Sequence, residues 1–169
     1  MAVMADRNTL EETERAMATH VEHLALSFPA AHAVSSLYRT ANAVRSHLTN
    51  TVLAKHDLTW TGFVVMWIVW IWDGRETREV AESASISKAT LTGVVKTLES
   101  RGWMRRQTSE KDRRLVNLSL TDEGIVLMKR VYPEFNAAEA SAVEGMSERR
   151  LRDLTNSLRH ITTHLDNSA

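Results

Sequence analysis

The chain has no cysteine, which excludes disulfide frameworks, thiolate metal sites and oxidant sensing through a thiol. Its six glycines are scattered, so no glycine-rich loop can cradle a phosphate, and no nucleophile motif or metal-protease helix is present. These absences point away from an enzyme and from a resident cofactor or metal. The longest apolar run, residues 63–72, is ten residues long, about half of what a bilayer-crossing helix requires. No charged stretch followed by an apolar one opens the chain, so no export signal is expected and the cytoplasm is the expected compartment. Net charge is also missing: 21 Lys and Arg balance 21 Asp and Glu in 169 residues. A protein that coats nucleic acid through bulk charge is therefore not expected.

What is present is an uneven distribution of that charge. Residues 75–114 carry ten basic and six acidic side chains, a local +4 against −4 elsewhere. The same segment has the clearest local pattern. Residues 77–83 read as a short helix, Ser85-Ile86 as a turn, and Ser87 as the N-cap of a second helix reaching about residue 100. Leu91, Val94, Val95 and Leu98 recur at three and four residues and form one apolar stripe, which leaves Lys88, Ala89, Thr92, Gly93 and Lys96 outside. That outer face is small, polar and cationic, with no carboxylate before Glu99. A recognition helix entering a DNA major groove needs such a face, free of bulk and of negative charge.

Arg101-Gly102 closes the helix, and residues 103–108 and 115–120 read as two strands, with Val116, Leu118 and Leu120 alternating with polar residues. Residues 109–113 form a polar tip. Arg101, Arg105, Arg106, Lys111, Arg113 and Arg114 face only Glu110 and Asp112 in sequence, so the hairpin reads as a wing that straddles the phosphate backbone.

Ser87-Lys88-Ala89-Thr90 opening the second helix, Leu98-Glu99-Ser100-Arg101-Gly102 ending it, and Asp112-Arg113-Arg114 followed by Leu120-Thr121-Asp122-Glu123-Gly124 resemble the multiple-antibiotic-resistance regulator (MarR) family of bacterial winged-helix transcription factors. The resemblance extends more weakly over residues 33–166. It implies DNA contacts from Ser87, Lys88, Ala89, Thr90, Thr92, Lys96, Arg113 and Arg114, with Asp112 orienting the arginine that enters the minor groove. Two departures stand out: Gly93 lies where many relatives carry a basic residue, and about 30 residues precede the usual start of the family.

The rest of the chain reads as helices around this unit, a mainly α winged helix-turn-helix with long terminal dimerisation helices and a two-stranded wing. Residues 8–28 form a first helix ended by Pro29, and residues 30–55 a long second one with Val34, Leu37, Ala41, Val44, Leu48 and Val52 on its buried side. Residues 58–72 form a helix apolar almost all round, holding four of the five tryptophans, as suits a central element. Thr121 caps the helix after the wing, where Ile125, Met128, Val131, Tyr132 and Phe135 point inward and Pro133 predicts a kink. Ser147 caps the last helix. On it Leu151, Leu154, Leu158, Ile161 and Leu165 are spaced 3, 4, 3 and 4, a seam suited to a second helix and hence to a homodimer. The expected division is residues 1–57 as an N-terminal extension and dimerisation helix, 58–120 as the DNA-binding region, and 121–169 as C-terminal dimerisation helices.

The expected partner is a pseudo-palindromic double-stranded operator. The resemblance implies in addition a small phenolic or aromatic-acid effector, and Tyr38, Arg39, Arg45, Trp60 and Trp67 are the candidate ligand residues, an aromatic wall with a guanidinium for a carboxylate. The same tryptophans also suit a plain core. The pairs His20/His23 and His160/His164 have metal-compatible spacing but no third ligand beside them in sequence, and solvated histidines are the expectation. The function expected is that of a ligand-released dimeric regulator, with repression as its mode. An effector-independent architectural or protein-docking module, or a histidine-based metal-responsive regulator, are the alternatives.

Overall fold

A computed structural model describes residues 9–21, 23–108 and 115–168. Contacts cluster into two units, residues 1–47 and 48–169. In the first, helix α1 (Leu10–Val21) opens with a reciprocal capping box. The Glu12 amide donates to Thr9 Oγ1 at 3.2 Å and the Thr9 amide donates to a Glu12 oxygen at 2.7 Å. The latter bond holds the Glu12 carboxyl below its ordinary value. Helix α1 ends at Val21, earlier than its apolar spacing suggested, and Pro29 does not terminate it. Instead Pro29 lies in the first turn of α2 (Phe28–Thr51), where a missing amide hydrogen has no helical acceptor to lose. Arg39 on α2 donates to Thr13 Oγ1 of α1 at 3.0 Å. Of the six positions expected on the buried side of α2, Leu48 and Val52 are buried, Leu37 and Val44 half-buried, and Val34 and Ala41 exposed.

The second unit holds the core: every buried apolar side chain among the described residues lies between Leu48 and Phe135. A 3-10 turn (Leu53–His56) ends at Asp57 in the left-handed region, φ 54°, and Thr59 caps α3 (Trp60–Ile71) by accepting from the Gly62 amide. Helix α3 buries Phe63, Val65, Met66, Ile68 and Val69, consistent with a central element apolar on most sides. Strand β1 (Arg75–Glu76) follows, then α4 (Thr77–Ser83), α5 (Lys88–Ser100), β2 (Met104–Thr108), β3 (Val116–Leu120), α6 (Asp122–Ala142) and α7 (Glu148–Asp166).

The two-stranded wing, β2 paired with β3, is extended by β1 into a three-stranded antiparallel sheet in the order β1-β3-β2. Arg75 pairs with Leu118 and Met104 with Leu120, so β3 is central, and Thr77 Oγ1 donates to the Val116 carbonyl at 2.8 Å. Helix α6 is clamped to the base of this sheet. The Thr121 amide donates to the Trp103 carbonyl at 3.2 Å, its hydroxyl to the Gly102 carbonyl, and Gly124 sits so close that a Cβ would lie 2.0 Å from the Trp103 oxygen. Only glycine fits there. Further along, Phe135 stacks on Phe63 at 4.3 Å and Trp70 meets Tyr132 edge-on at 5.8 Å, an aromatic seam between α3 and α6. Helix α6 continues through Pro133; Leu127, Met128, Val131 and Phe135 are buried, while Ile125 and Tyr132 are half-buried. Helix α7, capped by Ser147, buries no residue within the single chain.

Candidate nucleic-acid interface

Helix α4, the turn and α5 form the expected helix-turn-helix, and local chemistry holds the turn. Ser85 takes the left-handed conformation, φ 52°, and the Ile86 amide donates to the Ala81 carbonyl at 3.0 Å. Ser87 Oγ accepts from the Thr90 amide at 3.0 Å and lies 2.9 Å from Thr90 Oγ1. This cap satisfies one of the orphan donors at the helix start and sets the angle at which α5 leaves the turn. Leu91, Val95 and Leu98 are buried and Val94 half-buried, so the apolar stripe anchors α5 against the core.

The opposite face carries Lys88, Ala89, Thr90, Thr92, Gly93 and Lys96, all exposed. Thr92 donates its hydroxyl proton to the Lys88 carbonyl at 2.8 Å, which leaves its lone pairs free to accept. A hydroxyl so committed suits an amino group in the major groove, such as cytosine N4 or adenine N6. A Cβ on Gly93 would meet nothing within 4 Å, so crowding does not require glycine at this position.

The basic hairpin is less uniform than its charge count suggests. Arg105 Nε donates to Ser119 Oγ at 3.0 Å across the β2–β3 pair. Arg106 turns toward α5 and pairs with Glu99, its Nε 3.4 Å from the carboxylate. Arg101 donates to the Asp57 carbonyl and lies with its guanidinium 5.0 Å from the Trp103 ring centre. Charge counting could not reveal these internal attachments, because it says nothing of direction. Asp112, Arg113 and Arg114, the wing-tip candidates, lie outside the described residues, as does Lys111.

The candidate ligand residues fall in separate units. In the 1–47 unit Tyr38 is 69% exposed, Arg39 is engaged with Thr13, and Arg45 is exposed on α2. In the 48–169 unit Trp60 packs on Phe135 at 6.1 Å, whereas Trp67 is 36% exposed. On α7 the expected seam is present as an exposed stripe: Leu154, Leu158, Ile161 and Leu165 are exposed and Leu151 half-buried. Among the described residues no three His, Asp or Glu side chains are placed to hold a metal ion, and no helix is long and apolar enough to cross a membrane.

The MarR family model matches residues 58–116, from the start of α3 into β3. YwaE, an uncharacterized HTH-type transcriptional regulator of Bacillus subtilis, is 36% identical over 140 residues, 83% of this chain and 82% of that protein. Among solved structures, AbsC, a MarR family transcriptional regulator from Streptomyces coelicolor, superimposes with a TM-score of 0.76 at 21% identity over 84% of this chain and 97% of its own. NadR, solved in complex with 4-hydroxyphenylacetate, gives a TM-score of 0.69 at 21% identity over 79% and 97%.

Proposed function

The chain belongs to the MarR family of transcriptional regulators, and on that premise we propose that it is a homodimeric, sequence-specific repressor released from its operator by a small aromatic or phenolic acid. The observation that carries the DNA-reading part is α5: an N-capped, core-anchored helix whose outer face offers Lys88, Thr92 and Lys96 with no carboxylate among them. Residues 58–120 read DNA, and residues 1–57 and 121–169 bring two copies together. The exposed leucine stripe of α7 supports dimerisation, since an apolar seam at coiled-coil spacing has its natural cover in a second copy of itself. Arg114 or Arg113, oriented by Asp112, enters the minor groove.

The effector part rests on residue types. Trp67, exposed on α3, offers a stacking face, and Arg45 is the candidate carboxylate partner by residue type alone. The 4-hydroxyphenylacetate of the NadR complex belongs to that protein and here guides the choice of test compound. The test is a gel shift on the DNA upstream of the chain's own coding region, titrated with 4-hydroxyphenylacetate and benzoate while tryptophan emission is followed. Specific binding that is relieved in step with emission quenching, and loss of both responses in Arg45→Ala, are the expected results. Binding that is salt-sensitive but indifferent to sequence would replace this reading with an architectural module. Specific binding untouched by either acid at millimolar concentration would overturn the effector part alone.

A further inference from the structure

The paired strand arginines of the hairpin have different duties. Arg105 is tied within the hairpin, to Ser119 on β3. Arg106 leaves the hairpin and makes three attachments to α5. Its backbone amide donates to Glu99 Oε1 at 3.2 Å, its Nε lies 3.4 Å from Glu99 Oε2, and its Nη2 donates to the Thr92 carbonyl at 3.4 Å. Glu99 is the one acidic residue of α5, and its side chain is 31% exposed against 40% for Arg106. Thr92 lies seven residues, about two turns, before Glu99 along the helix. One guanidinium thus spans from the last turn of α5 to the stretch of helix that carries a proposed base-reading side chain.

A half-exposed ion pair contributes little to stability, typically under about 1 kcal/mol. Its worth is geometric. A winged helix must set its recognition helix into the major groove while its wing reaches the neighbouring minor groove, and the angle between the two decides whether both fit. Arg106 and Glu99 bridge those two elements, and the bridge grips the backbone at Thr92, so it sets the pitch of the reading face itself. It also engages the Arg106 charge within the protein, so this arginine is not one of the phosphate contacts that the basic hairpin suggests.

We propose that Glu99 and Arg106 are positioning residues for operator discrimination: the Arg106 guanidinium, held by Glu99 and bonded to the Thr92 carbonyl, locks the recognition helix to the wing strand and acts on sequence selectivity, not on backbone affinity. This rests on the DNA-reading assignment above, and the experiment separates the two. A duplex enriched from a random library by the wild-type chain and a scrambled duplex of the same composition are titrated across a KCl series with wild type, Arg106→Ala, Arg106→Lys, Glu99→Gln and the Glu99→Gln/Arg106→Ala double variant. Thermal melts confirm that each variant is folded.

In each single variant the affinity ratio of selected to scrambled duplex falls at least fivefold, and the double variant falls no further, because either change breaks the same bridge. The slope of log K against log [KCl] is not lowered. Arg106→Lys keeps the charge but lacks the fork, and it falls with the others. A slope reduced by about 0.9 in Arg106→Ala, the signature of one lost phosphate contact, overturns the proposal, as does an unchanged affinity ratio. Failure of the wild-type chain to enrich any sequence would instead remove the DNA-reading assignment on which it stands.

Discussion

Gly124 offers a sharp test of how α6 is set against the winged helix. A Cβ there would lie 2.0 Å from the Trp103 carbonyl oxygen and 2.9 Å from its carbon, both backbone atoms that no rotamer change can move. Ordinary contact requires about 1.5 Å more than the first distance, so alanine must push the first turn of α6 away from β2. Overpacking of this kind costs about 1–3 kcal/mol, and the strained Thr121 amide bond to Trp103 accounts for about 1 kcal/mol more. Alanine's better helix propensity offsets up to about 1 kcal/mol. Gly124→Ala is therefore expected to destabilise by about 2 kcal/mol, lowering Tm by roughly 4–8 °C for a chain of this size. Gly93→Ala is the control, the same change inside α5 with nothing within 4 Å of the new methyl. It should stabilise by up to about 1 kcal/mol, since only the propensity gain remains. Urea unfolding of both at one protomer concentration checks this. A Gly124→Ala midpoint at or above wild type, or equal shifts for the two variants, would refute the packing of α6 on Trp103.

His56 Nε2 lies 3.1 Å from Glu134 Oε2, and this bond, opposed in part by desolvation and aided by the lesser charge effects of His56, Lys55 and Arg130, holds the Glu134 carboxyl below its ordinary value. A depressed folded value means that the contribution is present above the unfolded value of about 4.3 and is lost as pH falls through the folded one. The stability gap between wild type and Glu134→Gln should accordingly be larger at pH 7 than at pH 3; a gap independent of pH would count against the contact. Leu158 and Ile161 are each 38% exposed on α7, so Leu158→Lys/Ile161→Lys should give monomers by analytical ultracentrifugation with unchanged helix content. A dimer that survives the double change would remove α7 from the interface.

Periodicity made much of this fold legible in advance. The bounds of α4, the Ser87 cap, the stripe of α5 and the Thr121 and Ser147 caps all depend on chemistry within a few residues, and all stand where spacing puts them. Strand β1 escaped notice because two residues contain no period, and Arg75–Glu76 exist as a strand only through β3. Pro29 misled for a related reason: a proline marks a helix boundary without saying on which side the helix lies, and here it opens one. The interface was legible in kind but not in direction. Sequence shows that Arg105 and Arg106 are basic, and only the strand pleat and the position of Glu99 show that one ties the hairpin while the other grips α5. Val34 and Ala41 recur with helical spacing and yet stand exposed in the single chain, since periodicity identifies an apolar face and not what covers it.

In the proposed complex two copies present the outer face of α5 to successive major grooves. Sequencing the duplexes that wild type and Lys96→Ala enrich from one random library tests this arrangement most directly. The expected wild-type motif is an imperfect palindrome with half-site centres about 10 bp apart. In the Lys96→Ala motif the same position of both half-sites should relax while the others are retained, at about 1–3 kcal/mol if Lys96 reads a base there. A single asymmetric half-site, or a Lys96→Ala motif weakened evenly at every position, would contradict the account.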